Sequence, residues 1–148
     1  MTDPAYCLDT GVFVKALIPE EGSREAAILL KAVIGRGHRL VAPSFAWAEV
    51  GTVLREKVRT GLLTEAEAGV RWERFLSLPI EYLEDRRLLR VAWEIAARFG
   101  LHAIYDAAFL AAAEVAAEGG EAEFWTCDRE LVKSLGDRVP QYVHLLGG

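Results

Sequence analysis

The chain has no asparagine and a single glutamine, Gln141, and arginine predominates among its 17 basic residues. Depletion of these thermolabile amides is a bias shared by heat-adapted proteins and by proteins of GC-rich genomes. Only two cysteines occur, Cys7 and Cys127, both inside apolar stretches and without the local spacing of a zinc site. In a reducing compartment two buried thiols are expected, and a bridge stays open only if the strands that carry them are neighbours. No run approaches the ~18 uninterrupted apolar residues of a membrane helix. The opening "MTDPAYCLDT" shows no basic segment followed by an apolar core. The expectation is a cytoplasmic protein with no membrane contact. Positive charge is short as well. A net charge of −5 excludes a protein that coats nucleic acid through bulk electrostatics. It does not exclude an enzyme that reaches nucleic acid through metal ions held by its own acids.

What is present is the balance of a globular protein. The 148 residues, 52% hydrophobic and 26% charged, suit one domain spanning 1–148 with a core of its own. Short apolar runs alternate with longer segments of 3.6-residue period, the pattern of an α/β fold with a largely parallel sheet. Strands are expected at "AYCLD", "RLVAP", "PIEYL", "AEFWT" and "QYVHLL". Between them, a helical turn from Val12 to Leu17 stops at Pro19, and Ser23 caps a helix running to about Gly35. Pro43 suits the first turn of the helix that closes at Gly61. Thr64 and Glu67 form a capping box, opening a helix to about Leu76. Further helices run from Asp85 to Phe99, through the Ala-rich segment ended by the paired glycines Gly119 and Gly120, and from Asp128 to about Leu135.

Four acids stand where decoration is a poor account of them. Asp9 ends the first strand and Asp128 follows the fourth, and each has capping of the next helix as its plain alternative. Glu49 lies among Phe45, Trp47, Val50 and Val53, where little reads as a solvated face. Asp106, in "AIYDAAFLAAAEV", sits near the start of a helix that is apolar almost all round. A charged carboxylate there costs several kcal/mol without a partner, and a helix N-terminus returns only ~0.3–1 kcal/mol. The carboxyl ends of parallel strands share one edge, so Asp9 and Asp128 are expected there, with Asp106 led toward them. Gathered carboxylates repel, and a hard cation such as Mg2+ or Mn2+ relieves the repulsion through oxygen ligands. Such a site supports phosphoryl transfer. Thr10 and Thr126 are placed either to orient the carboxylates or to satisfy backbone groups at the strand ends.

These residues resemble the PIN-domain nucleases and, in size, the VapC-type toxins of toxin–antitoxin pairs. "YCLDTGVF" looks like the family's opening strand, "APSFAWAEVGTVL" like the segment with its glutamate, "IYDAAFLAAA" like the motif of its third acid, and "WTCDREL" like its Thr-x-Asp. The resemblance implies a three-layer α/β/α sandwich with a short central parallel sheet. It further implies a Mg2+- or Mn2+-dependent endoribonuclease, an RNA substrate, a cognate antitoxin and a homodimer. The catalytic acids would be Asp9, Glu49, Asp106 and Asp128, with Asp9 and Asp106 as direct metal ligands. Gly11 departs from the family, many of whose members carry Ser or Asn two residues after the first acid.

Other classes fit less well. A receiver domain needs a second acid beside the first, where Thr10 and Gly11 stand, and a haloacid-dehalogenase-like phosphatase lacks its second aspartate here. A catalytically silent PIN-like module that binds RNA or protein remains the non-enzyme alternative. Arg55, Lys57, Arg59, Arg129 and Lys133 read either as a basic rim or as ordinary solvated helix faces. His38, His102 and His144 show no ligating spacing, and Trp47, Trp72, Trp93 and Trp125 read as core or interface anchors.

Overall fold

The computed structural model describes residues 4–118 and 120–147. The first of the paired glycines and the first three residues of the N-terminal reading lie outside the described residues. The elements follow in chain order as β1 (Ala5–Leu8), α1 (Thr10–Leu17), α2 (Ser23–Gly35), β2 (Arg39–Pro43), α3 (Ala46–Arg59) and α4 (Glu65–Leu76). After them come β3 (Ile80–Leu83), α5 (Arg86–Phe99), α6 (Ile104–Ala117), β4 (Ala122–Thr126), α7 (Arg129–Leu135), a 3-10 turn (Gly136–Arg138) and β5 (Val143–Leu145).

All strand pairs are parallel, in the order β3-β2-β1-β4-β5. Strand alternation sorts side chains to two layers. Ala5, Cys7 and Phe124 face the layer of α5, α6 and α7, while Tyr6, Leu8 and Trp125 face that of α1 to α4. The result is a three-layer α/β/α sandwich, as the residue pattern and the resemblance led one to expect. Phe13 and Phe75 anchor one apolar layer, Phe109 and Phe124 the other. Burial of each such ring contributes about 1.5–3 kcal/mol. The alanines of α6 (Ala107, Ala111, Ala112, Ala113) have no bulk to hold the helix away, so it lies directly on β1, β2 and β4.

Local chemistry sets the boundaries. Thr64 and Glu67 form the capping box in full, with Glu67 N donating to Thr64 Oγ1 at 3.0 Å and Thr64 N to Glu67 Oε1 at 2.9 Å. Asp85 caps α5 by accepting from Leu88 N at 2.9 Å, and Gly100 closes the helix with a left-handed φ of 64°. Two expectations are corrected. Ser23 is the first helical residue of α2 rather than its cap, because Gly22 turns the chain in at φ 83°. Pro43 ends β2, as the strand reading has it, but does not enter α3, since Ser44 N still donates to the Leu83 carbonyl of the neighbouring strand. The cysteines are both free. Although β1 and β4 are neighbours, Cys7 faces the α6 layer and donates to Phe109 O at 3.4 Å, while Cys127 packs toward the opposite layer.

Candidate metal centre at the carboxyl edge of the sheet

The strand order places a switch point between β1 and β4, where the chain turns from building one side of the sheet to building the other. Crevices at such points, outside the carboxyl ends of the strands, are the usual ligand sites of open parallel sheets. Asp9 immediately follows β1, and Asp128 follows β4 by one intervening residue. Helices α3 and α6 start at this same edge because they run back against the strands, which brings Glu49 in the first turn of α3 and Asp106 in the first turn of α6 to the crevice. The four acids, with Thr10, Gly11, Phe109 and Cys127, line one cavity of about 360 Å³. Among the described residues, no lysine, arginine or histidine lines it.

Capping and convergence turn out to be compatible. Asp9 is the N-cap of α1, its Oδ1 accepting from Thr10 N at 2.8 Å, and its Oδ2 accepts from the hydroxyl of Thr126 at 2.8 Å. Asp128 is the N-cap of α7, with Oδ1 accepting from Leu131 N at 3.1 Å, and its own N–H donates to Thr126 Oγ1 at 2.9 Å. Thr126 is thus fully buried between two acids and bonded to both residues. Thr10 donates its hydroxyl to Glu49 Oε1 at 3.0 Å. Both threonines therefore bind carboxylates, and Thr126 also satisfies a backbone amide at the strand end, so it fills both of the roles read for it.

Electrostatics records the crowding. Burial is the largest influence on Asp9 and carries it from its ordinary value of 3.8 to about 6; the hydrogen bonds from Thr126 and Thr10 oppose the rise, and the charges of Asp106 and Asp128 add to it. Glu49 is raised by burial and then by Asp106, against the Thr10 hydrogen bond. Asp106 is raised by burial and by Asp128. The expectation for Asp106 needs a correction in degree. It is half-buried rather than enclosed, because it lies where the first turn of α6 emerges from the core, directly after the exposed Ile104 and Tyr105.

Among the described residues, no three Asp, Glu, His or Cys side chains are close enough together to hold an ion. The donor set nonetheless suits a hard cation: carboxylate and hydroxyl oxygens dominate, and burial keeps the Cys127 thiol protonated by raising its pKa. A hard divalent cation held here would take one or two of the carboxylates directly and keep waters for its remaining positions.

Three of the five residues read as a basic rim or as solvated helix faces are ion-paired. Arg55 pairs with Glu65 at 2.8 Å, Lys57 with Glu20 at 3.3 Å and Arg59 with Glu56, while Arg129 donates to the Gly147 carbonyl at 3.2 Å. Trp47 and Trp93 are not core residues, being 51% and 73% exposed. Phe109 and Cys127, to which the sequence reading assigned no role at the site, line the cavity; the adjacency of Cys127 to Asp128 was the available signal. At Gly11 a Cβ would meet nothing within 4 Å, so the backbone itself does not call for glycine there.

Fold and site together define a doubly wound α/β protein with a carboxylate-lined crevice at its switch point. The chain belongs to the PIN domain family, whose model matches residues 6–134. PIN domains are generally nucleases and typically use divalent metals. No curated protein sequence gives a significant match to the chain.

Proposed function

We propose that this protein is a Mg2+- or Mn2+-dependent endoribonuclease that hydrolyses RNA phosphodiester bonds, and that it serves as the toxin of a type II toxin–antitoxin pair of the VapC type. The observation that carries the nuclease reading is the convergence of Asp9, Glu49, Asp106 and Asp128 on one cavity with no cation in its lining. Asp9 and Asp106 would hold the metal directly, and Glu49 and Asp128 would act through water or a second ion. When bound, a divalent cation supplies positive charge against the scissile phosphate and acidifies water, which is the chemistry of metal-assisted hydrolysis. The chain's own part is positioning. Thr126 fixes one oxygen of Asp9, the Thr10 amide fixes the other, and the Thr10 hydroxyl holds Glu49.

Partner binding is supported by the surface. An apolar groove of about 480 Å³ between α3 and α4 is lined by Trp47, Gly51, Leu54, Ala68 and Trp72. Exposed Leu89 and Trp93 make a second apolar face on α5. Surfaces of this kind suit a cognate antitoxin and a second copy of the chain.

The competing reading is a catalytically silent PIN module, and the absence of a ready three-acid cluster among the described residues favours it. One experiment separates the two. Single-stranded RNA should be cut in Mg2+ or Mn2+, cutting should stop with EDTA, and Asp106→Asn should fold normally yet lose about 10²-fold or more of the rate. Undiminished cleavage by the Asn variant, or in EDTA, removes the metal-site assignment.

A further inference from the structure

Beside the acid cavity, and sharing Thr10 and Glu49 with it, lies a second cleft of about 460 Å³ whose walls include Phe45, Ala48, Thr52 and Tyr105. That size is within the ~300–1,000 Å³ range of small-ligand sites. Tyr105 precedes Asp106 in the first turn of α6 and is 57% exposed. Its ring is nonetheless braced. It meets Phe45 in a T-shaped contact with centroids 5.3 Å apart, and Phe45 meets the buried Phe109 in another at 5.9 Å. An exposed aromatic held in this way loses little freedom on binding a flat partner.

Charge sharpens the argument. The cations on the neighbouring α3 are engaged by Glu65, Glu20 and Glu56, and no lysine or arginine is among the residues lining either cavity. A strand of nucleic acid lying in this cleft meets no cationic side chain in its walls, so a second source of affinity is needed there. Stacking of a base on an aromatic ring provides about 1–3 kcal/mol and tolerates any base.

We propose that Tyr105, backed by Phe45, is a nucleobase platform on which a base flanking the scissile phosphate of single-stranded RNA stacks, with Thr10 and Thr52 along the wall of the same cleft. The inference rests on the ribonuclease reading and adds to it the way the strand is held. Stacking here positions the substrate without entering the bond-breaking step, so its loss falls on KM rather than kcat.

The test compares wild type with Tyr105→Phe, Tyr105→Leu and Tyr105→Ala on a single-stranded RNA oligomer in Mn2+. Loss of the ring should raise KM by roughly 5- to 100-fold in the Leu and Ala variants, with kcat changed by no more than about threefold. Phe should restore the wild-type KM. Binding is followed separately with 2-aminopurine placed at successive positions. Its emission should be quenched at one position next to the cut by wild type and the Phe variant, and not by Leu or Ala. A wild-type KM in Tyr105→Leu, or quenching that persists in Tyr105→Ala, overturns the platform while leaving the nuclease intact. A wild type that neither cuts nor quenches at any position overturns both readings together.

Discussion

Thr126 donates its hydroxyl to Asp9 across two neighbouring strands, Oγ1 to Oδ2 at 2.8 Å, and accepts from the amide of Asp128 at 2.9 Å. One buried hydroxyl thus ties the first of the four site acids in chain order to the last. Replacing it with valine preserves shape and leaves both partners short of a bond. An unsatisfied buried group costs about 1–3 kcal/mol, more when it is charged. Thr126→Val should therefore lower the urea midpoint by an equivalent amount, with Thr126→Ser recovering most of it. A Val variant as stable as the parent would show that the hydroxyl is dispensable.

The crowding of acids makes a prediction about pH. Asp9 in the folded chain takes up its proton at about 6, against 3.8 ordinarily. Between these values the folded state holds a proton that the unfolded state has released, so stability falls as pH rises through the window. The full benefit exists below pH 4 and is gone above about pH 6. Each unit is worth about 1.4 kcal/mol, so the total is on the order of 3 kcal/mol. In EDTA, wild type should lose stability relative to Asp9→Asn as the pH goes from 4 to 7. A stability difference that stays constant with pH, measured by denaturant titration, would contradict the assigned burial.

A bound cation should reverse that penalty, because it compensates the charges that burial and mutual repulsion disfavour. Added Mn2+ should raise the melting temperature of wild type at pH 7. Asp106→Asn removes an expected direct ligand and should shift the apparent Kd for Mn2+ upward by tenfold or more. Identical cation dependence in the two proteins would remove Asp106 from the ligand set.

How far could these relationships be read from residues alone? The acids at the strand ends were legible, because a short apolar run followed by Asp and a helical period marks both the strand's end and the helix's start. The meeting of Asp9 with Asp128 followed from the rule for parallel sheets. The strand order itself was not legible, since it depends on which layer each helix joins and not on any local pattern. Ser23 misled because serine before an apolar run is a good cap by composition, whereas the left-handed Gly22 performs the turn. Trp47 and Trp93 read as core or interface anchors, and their exposure removes only the first of those alternatives. Periodicity shows that a face is apolar, but it does not show whether the rest of the chain covers it.

Gly51 allows a last prediction, in which two effects oppose each other. It lies inside α3, where Ala in place of Gly is worth about 1 kcal/mol of helix stability. A Cβ there, however, would stand 3.2 Å and 3.3 Å from the Trp72 ring of α4. That ring cannot withdraw freely, because it is stacked on Phe75, itself buried and in edge contact with Phe13. The contact is a few tenths of an ångström too tight for a methyl and much too tight for a longer side chain. Gly51→Ala should accordingly leave stability within about 1 kcal/mol of the parent, the two effects nearly offsetting. Gly51→Leu should cost about 1–3 kcal/mol by forcing α3 from α4. It should also fill the apolar groove that those helices line, so any chain that docks there should bind the Leu variant far more weakly than the Ala variant. Equal denaturation midpoints for the two variants would show that α3 and α4 are free to separate, and the groove would then not be a fixed feature of the surface.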